Sequence, residues 1–176
     1  MKASLPIKDV EMINKMKDLF LKKGQIRDYL LFIISINTGI NLKELLALKV
    51  KDVKNKLSLS LSGNKIVPLS IEVQDAIKCA VAGCKEDEPL FKGRAGQKLD
   101  RNSAFYIFRV VCSELGVQDK YSVSSLRKTF AYHYYKKYGD LSYLQWLFNQ
   151  TSAEQALSYI GEHENMNLRY REGVCL

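Results

Sequence analysis

The sequence is poor in the groups from which metal sites and nucleophile–base pairs are made. It has two histidines, His133 and His163, and four cysteines, Cys79, Cys84, Cys112 and Cys175, none of them at CxxC spacing. Zinc needs clustered Cys and His ligands, so no metal is expected, and no other cofactor. Scattered thiols in a reducing compartment are expected to be reduced and in or near the core. No Gly-rich phosphate loop precedes a Lys-Ser/Thr pair, and there is no GxSxG elbow. Glu86, Asp87 and Glu88 are adjacent in a loop-like stretch, without the spacing of metal ligands. No apolar run reaches the ~18 residues of a membrane span. The start MKASLPIKDVEM has no hydrophobic signal core. A cytoplasmic protein is the expectation. No repeat, low-complexity block or Gly/Ser linker divides the chain, so one domain is expected over residues 1–176.

What is present is apolar residues in quantity and positive charge. Of 176 residues 47% are hydrophobic and 26% charged, a globular balance. Lys and Arg number 27 against 19 Asp and Glu, a formal net charge of +8. Such an excess suits a polyanionic partner, with double-stranded DNA the first choice. The densest patch is KVKDVKNK, with Lys49, Lys51, Lys54 and Lys56 against one aspartate.

The pattern predicts a mostly α protein with a small antiparallel β-sheet (α+β). Ser4-Leu-Pro6 reads as a helix opening, followed by Val10, Ile13, Met16 and Phe20 at helical spacing. IRDYLLFIISINTG reads as a central core helix closed by Gly39. A third helix runs from Leu42 to about Leu48, with Leu42, Leu45, Leu46 and Leu48 facing the core. KLSLSLSGNKIVPLS alternates through Leu57, Leu59 and Leu61, turns at Ser62-Gly63-Asn64 and returns through Ile66 and Val67, a hairpin with one buried face. Ser70 caps a helix over about 71–82, and residues 83–99 read as loop. Further helices are expected from Asp100 or Asn102 to Leu115, from Ser124 to Lys137, and after Asp140. A last one follows Ser152, whose spacing to Gln155 suits a capping box.

Arg127, near a helix start in SSLRKTF, is a residue type suited to phosphate. Beyond this the residues name no chemistry, but their arrangement resembles the tyrosine recombinase (phage integrase, Xer-like) catalytic domain. TGINLKELLALKVKDV is similar to that family's TG-L-R-x-x-E-L-L segment. LSGNKIVPLS is similar to its lysine-bearing hairpin, and LFKGRAGQKLDRNSAFYIFRVV to its LF loop and following helix. SSLRKTFAYHYYKKYGDLSYLQWLFNQTSAEQALSYIG resembles HxLRHTFATHL…LLGHSS…T-x-x-Y. The resemblance covers nearly the whole chain in order.

It implies a tyrosine that attacks a DNA phosphodiester and forms a 3′-phosphotyrosyl link. Two arginines neutralise the phosphate, a hairpin lysine protonates the leaving oxygen, and two histidines, or a histidine and a tryptophan, assist. Carried over position by position, the second arginine is Arg127 and the nucleophile Tyr159. The first arginine falls on Asn41, one histidine on Ser124 and the other on Gln150. The lysine position is open between Ser62, aligned from the left, and Lys65, from the right. His133 matches a histidine outside the catalytic group, and nothing places His163 in a site. Asn, Ser and Gln can donate hydrogen bonds to a phosphate, but they bring no full positive charge and trade no proton near neutral pH.

The resemblance therefore implies a DNA-binding protein with lost or strongly reduced strand cleavage, acting as regulator or accessory factor. The alternative is an active recombinase working through Tyr159. Lys43, Lys49, Lys51, Lys54 and Arg127 would contact DNA phosphates. A homo-oligomer or partner recombinase on DNA is also implied. The family's N-terminal DNA-clamping domain is not matched in this chain, and the tail 165–176 reads as loose or docking on a partner. The same residues have plainer readings. Asn41 is among the best N-cap residues, Arg127 could pair within the core, Tyr159 could be a packed aromatic, and the lysines a solvated face.

Overall fold

The computed structural model describes residues 4–162. Its centre is α2, Ile26–Thr38, where Leu30, Leu31, Phe32, Ile33 and Ile34 are all buried, so the helix has almost no solvent face. α1, Val10–Lys22, and α5, Ile71–Ala80, pack on it, as does α7, Val123–Tyr138. α6, Arg101–Glu114, adds Phe108, which stacks on Phe32 at 6.4 Å between ring centroids. Between α2 and α5 lie the short helices α3, Leu42–Ala47, and α4, Val50–Val53, and the hairpin of β1, Ser58–Leu61, with β2, Lys65–Pro68. The pairing is antiparallel, with Leu59 opposite Val67 and Leu61 opposite Lys65. Strand periodicity puts these four on one face. Leu59, Val67 and Lys65 are buried, so a lysine lies on the core side of the sheet.

A second, smaller cluster is built by the last helices, α8, Leu141–Phe148, and α9, Ala153–Tyr159, against the C-terminal half of α7. Ala131, Leu144, Leu157 and Ile160 form its buried centre, with Phe130, Phe148 and Tyr159 packed around it. The first half of α7 gives Val123 and Leu126 to the main core instead. Arg127 therefore stands where the two clusters meet.

The expected class and most elements are present, and several details differ. α1 begins at Val10 with Asp9 as its cap, the Asp9 carboxylate accepting from the Glu11 amide. Ser4 and Pro6 lie in an extended lead-in that docks on α7. Ser4 pairs with Ser125, Thr129 accepts from the Ile7 amide, and His133 bonds the Ile7 carbonyl. Tertiary partners thus replace the local cap. Val10 is exposed, as is Leu57. The basic stretch contains α4, which periodicity missed because it is a single turn; Asp52 accepts from the Lys49 amide at its start. Cys112 is buried, but Cys79 is exposed. Ser152 caps α9, yet Gln155 reaches back to the Thr151 amide rather than to Ser152, so the capping box is incomplete. His163, Cys175 and the tail 165–176 lie outside the described residues.

The end of the described chain is tied to its start. Glu162 accepts from Lys8 at 2.7 Å and from Lys136 at 3.1 Å. The Lys8 hydrogen bond, foremost, and the two lysine charges hold the Glu162 carboxyl below its usual range. A carboxyl depressed by folding adds stability above its unfolded pKa and gives it up as pH falls through the folded value. Glu162→Gln is expected to cost at most about 1 kcal/mol of stability at neutral pH, as for other solvent-exposed pairs, and so to lower the melting temperature slightly. The gap from wild type should close in acid. Thermal melts at both pH values test this, and a gap that persists in acid contradicts it.

Candidate active site

Arg127 is the pivot. It lies one turn into α7, beyond the exposed first-turn amides, and its side chain is fixed by tertiary partners. Nε donates to the Gly39 carbonyl at 2.8 Å, and the guanidinium lies 4.4 Å from the centroid of the Phe148 ring. The Gly39 carbonyl is available because Gly39 ends α2 at φ 63°, the left-handed region that glycine enters without strain.

On one side of Arg127 is a cleft of about 150 Å³, lined by Asn41, Ser124 and Arg127 together with Arg101 and Phe105. Asn41 caps α3. Its Oδ1 accepts from the Glu44 amide at 2.9 Å, and its Nδ2 donates to the Glu44 carboxylate. Both ends of the amide are thus used locally. Glu44 also accepts from the backbone and hydroxyl of Ser62, which ties the hairpin turn to α3. Ser124 is exposed in the first turn of α7, its hydroxyl paired with that of Ser122 at 2.8 Å.

Lys65 and Gln150 lie at the C-terminal end of α8, and Tyr159, on α9, packs on the last residue of that helix, Phe148. Lys65 Nζ donates to the Leu147 carbonyl at 3.1 Å and to Asn149 Oδ1 at 2.6 Å, and lies 5.5 Å from the Trp146 ring centroid. A cation there satisfies open carbonyls at the negative end of the helix. The two hairpin candidates therefore separate, Ser62 toward α3 and Lys65 toward α8. Asn149 takes the left-handed conformation at φ 55°, so the chain turns sharply and leads Gln150 into the second cluster. Gln150 Oε1 is buried with no hydrogen-bond partner among the described residues.

Tyr159 is half-buried, 5.3 Å from the Phe148 ring centroid, with Lys128 Nζ 5.1 Å from its own. Burial raises the Tyr159 hydroxyl above its ordinary 10.0, and the Arg127 charge beside it offsets only part of that. Burial also lowers the Lys128 ammonium. At neutral pH the tyrosine is protonated, and to attack it must lose its proton to a base. Of the expected set, then, the structure brings Asn41, Ser124 and Arg127 to one cleft. Lys65 and Gln150 lie at the C-terminal end of α8, and Tyr159 packs on Phe148 beside Arg127.

The lysines expected to meet DNA lie on and around α3 and α4. Lys49 and Lys51 both point to Asp87, at 3.9 and 2.8 Å. Lys51 lines a groove with Glu44 and Ser62, Lys54 lines another with Lys78, and Lys56 lines both. Lys43 is exposed on α3. Arg101, Lys128 and Phe148 went unmarked in the sequence. Arg101 sits after a capping aspartate and Lys128 after an arginine, positions with no local signal of a site.

The helical body, the small hairpin and the arginine–tyrosine seam define a tyrosine recombinase catalytic domain. The chain belongs to the phage integrase family, which matches residues 4–166. It is 34% identical over 166 residues to the probable integrase/recombinase YoeC of Bacillus subtilis (strain 168), covering 91% of each chain. Among solved structures it is similar to XerA recombinase, with a TM-score of 0.76, 19% identity and 95% of this chain covered. It is also similar to XerH site-specific recombinase in a post-cleavage complex with a palindromic difH substrate, with a TM-score of 0.72, 22% identity and 95% coverage. The chain spans 62% and 52% of the lengths of those two recombinases.

Proposed function

We propose that this protein binds double-stranded DNA and has lost or strongly reduced strand cleavage, acting as a regulator or accessory factor of recombination. The observation that carries the reading is the state of Asn41. Where the family pattern expects a phosphate-binding arginine, both ends of its amide are engaged by Glu44. The proton chemistry is weakened in parallel. Tyr159 has a raised pKa, and Ser124 and Gln150 cannot accept its proton near neutral pH. Binding is supported by the net charge of +8, by the arginine-lined cleft, and by the shared fold with XerH, which is bound to DNA in its structure. Residues 1–176 act in this reading as one catalytic-like unit, which meets a second copy or a partner recombinase on DNA.

The second reading, an active recombinase cleaving through Tyr159, draws on Arg127 lying beside that tyrosine. A nicked duplex that traps the covalent intermediate separates the two. No adduct is expected on a denaturing gel. An adduct that disappears in Tyr159→Phe overturns the reduced-cleavage reading. Duplex affinity should fall steeply with salt, by a log–log slope of about 0.9 per phosphate contact. Absence of binding at low salt sinks the DNA-binding claim.

A further inference from the structure

We propose that Arg101 supplies a guanidinium to a phosphate held in the Asn41–Ser124–Arg127 cleft, taking over the charge that Asn41 does not carry. The proposal deepens the DNA-binding reading and rests on it for the identity of the ligand, a backbone phosphodiester.

Arg101 opens α6 and lines the cleft to which α7 brings Arg127. Its guanidinium lies 5.3 Å from the ring centroid of Phe105, one turn along the same helix and also on the cleft. An arginine stacked on an aromatic ring is held in place and has less freedom to lose on binding. Among the described residues the one arginine ion pair is Arg27 with Asp28; neither Arg101 nor Arg127 is paired with a carboxylate. Asp100, next to Arg101, spends its carboxylate on Ser103, accepting from both its amide and its hydroxyl.

Two guanidinium groups without a carboxylate partner among the described residues line one small cleft, which favours an anion there. A phosphodiester has one negative charge shared over two free oxygens, and charge-assisted N–H donors from two arginines match it. Ser124 adds a neutral hydroxyl on the same cleft. Arg101 restores charge but brings no proton-transfer group, so the assignment agrees with DNA being held without efficient cleavage.

The test uses the full chain and a labelled duplex at several salt concentrations. Arg101→Gln should weaken binding roughly three- to tenfold near 0.1 M salt and reduce the salt slope by about 0.9, the loss of one phosphate contact. Lys22→Gln, exposed at the end of α1 and away from the clefts described above, should change neither. If wild type binds and Arg101→Gln leaves the slope unchanged, the proposal is overturned. In parallel, inorganic phosphate is titrated while the arginine Nε–Hε resonances are followed, assigned with Arg101→Lys and Arg127→Lys. Both resonances should shift together. If wild type binds no duplex, the DNA reading fails, and this titration still decides: a shift at Arg101 supports the anion cleft, and a static resonance overturns it.

Discussion

The triple variant Asn41→Arg, Ser124→His, Gln150→His is expected to raise strand cleavage by about 10³-fold or more, from a level near background. Each lost donor at a site of developing charge typically costs ~10²–10³ in rate, and such losses do not add in full. For the same reason no single replacement should recover much, because proton transfer and charge neutralisation act on one transition state. The scaffold is prepared for the change. Glu44 already faces position 41 and would pair with an arginine there, although α3 would lose a cap, at a cost of about 1 kcal/mol. Gln150 already has a buried oxygen without a partner among the described residues. The readout is the adduct on a nicked duplex, which must vanish when Tyr159→Phe is added. A triple variant that is folded and bound to DNA yet silent would place the defect beyond these three positions.

Gly39→Ala is expected to be the most damaging small substitution, lowering stability by about 3 kcal/mol. Two costs combine. The φ of 63° disfavours any residue with a Cβ, by ~1–2 kcal/mol. The added Cβ would also stand 2.5 Å from Cδ1 of Phe130. Overpacking of that kind costs about 1–3 kcal/mol. For a chain of this length the melting temperature should fall by roughly 6–12 °C. Gly63→Ala is the control, since it has φ 72° but open space around the new Cβ. If the two variants melt alike, the contact with Phe130 is not the cause. Gly39 also presents the carbonyl that fixes Arg127, so duplex affinity should drop in Gly39→Ala and not in Gly63→Ala.

Most of the body was legible in the sequence because its signals are local. Gly39 and Gly139 end α2 and α7 in the left-handed conformation, Asp100 and Asp140 cap the starts of α6 and α8, and Gly63 with Asn64 turns the hairpin. Each can be read within one or two turns of chain. The false start at Ser4 shows the limit. Its hydroxyl had the right type and spacing for a cap, but Ser125 is its partner. Nothing within ten residues of Ser4 reports that.

By itself, the sequence determined the helical framework with its hairpin, the net positive charge, and the identity of the side chains at positions 41, 124, 127, 150 and 159. Periodicity and caps are short-range, and residue types need no folding to be known. Only the tertiary structure decided which of those side chains meet. It set Lys65 on the end of α8 and Ser62 on Glu44. It shared Lys49 and Lys51 with Asp87, and it brought Arg101 into the lining of the cleft that also holds Arg127. The reason is that a charge acts through space. Its partners are chosen by the packing of α2, α6, α7 and α8, and no spacing along the chain encodes that choice.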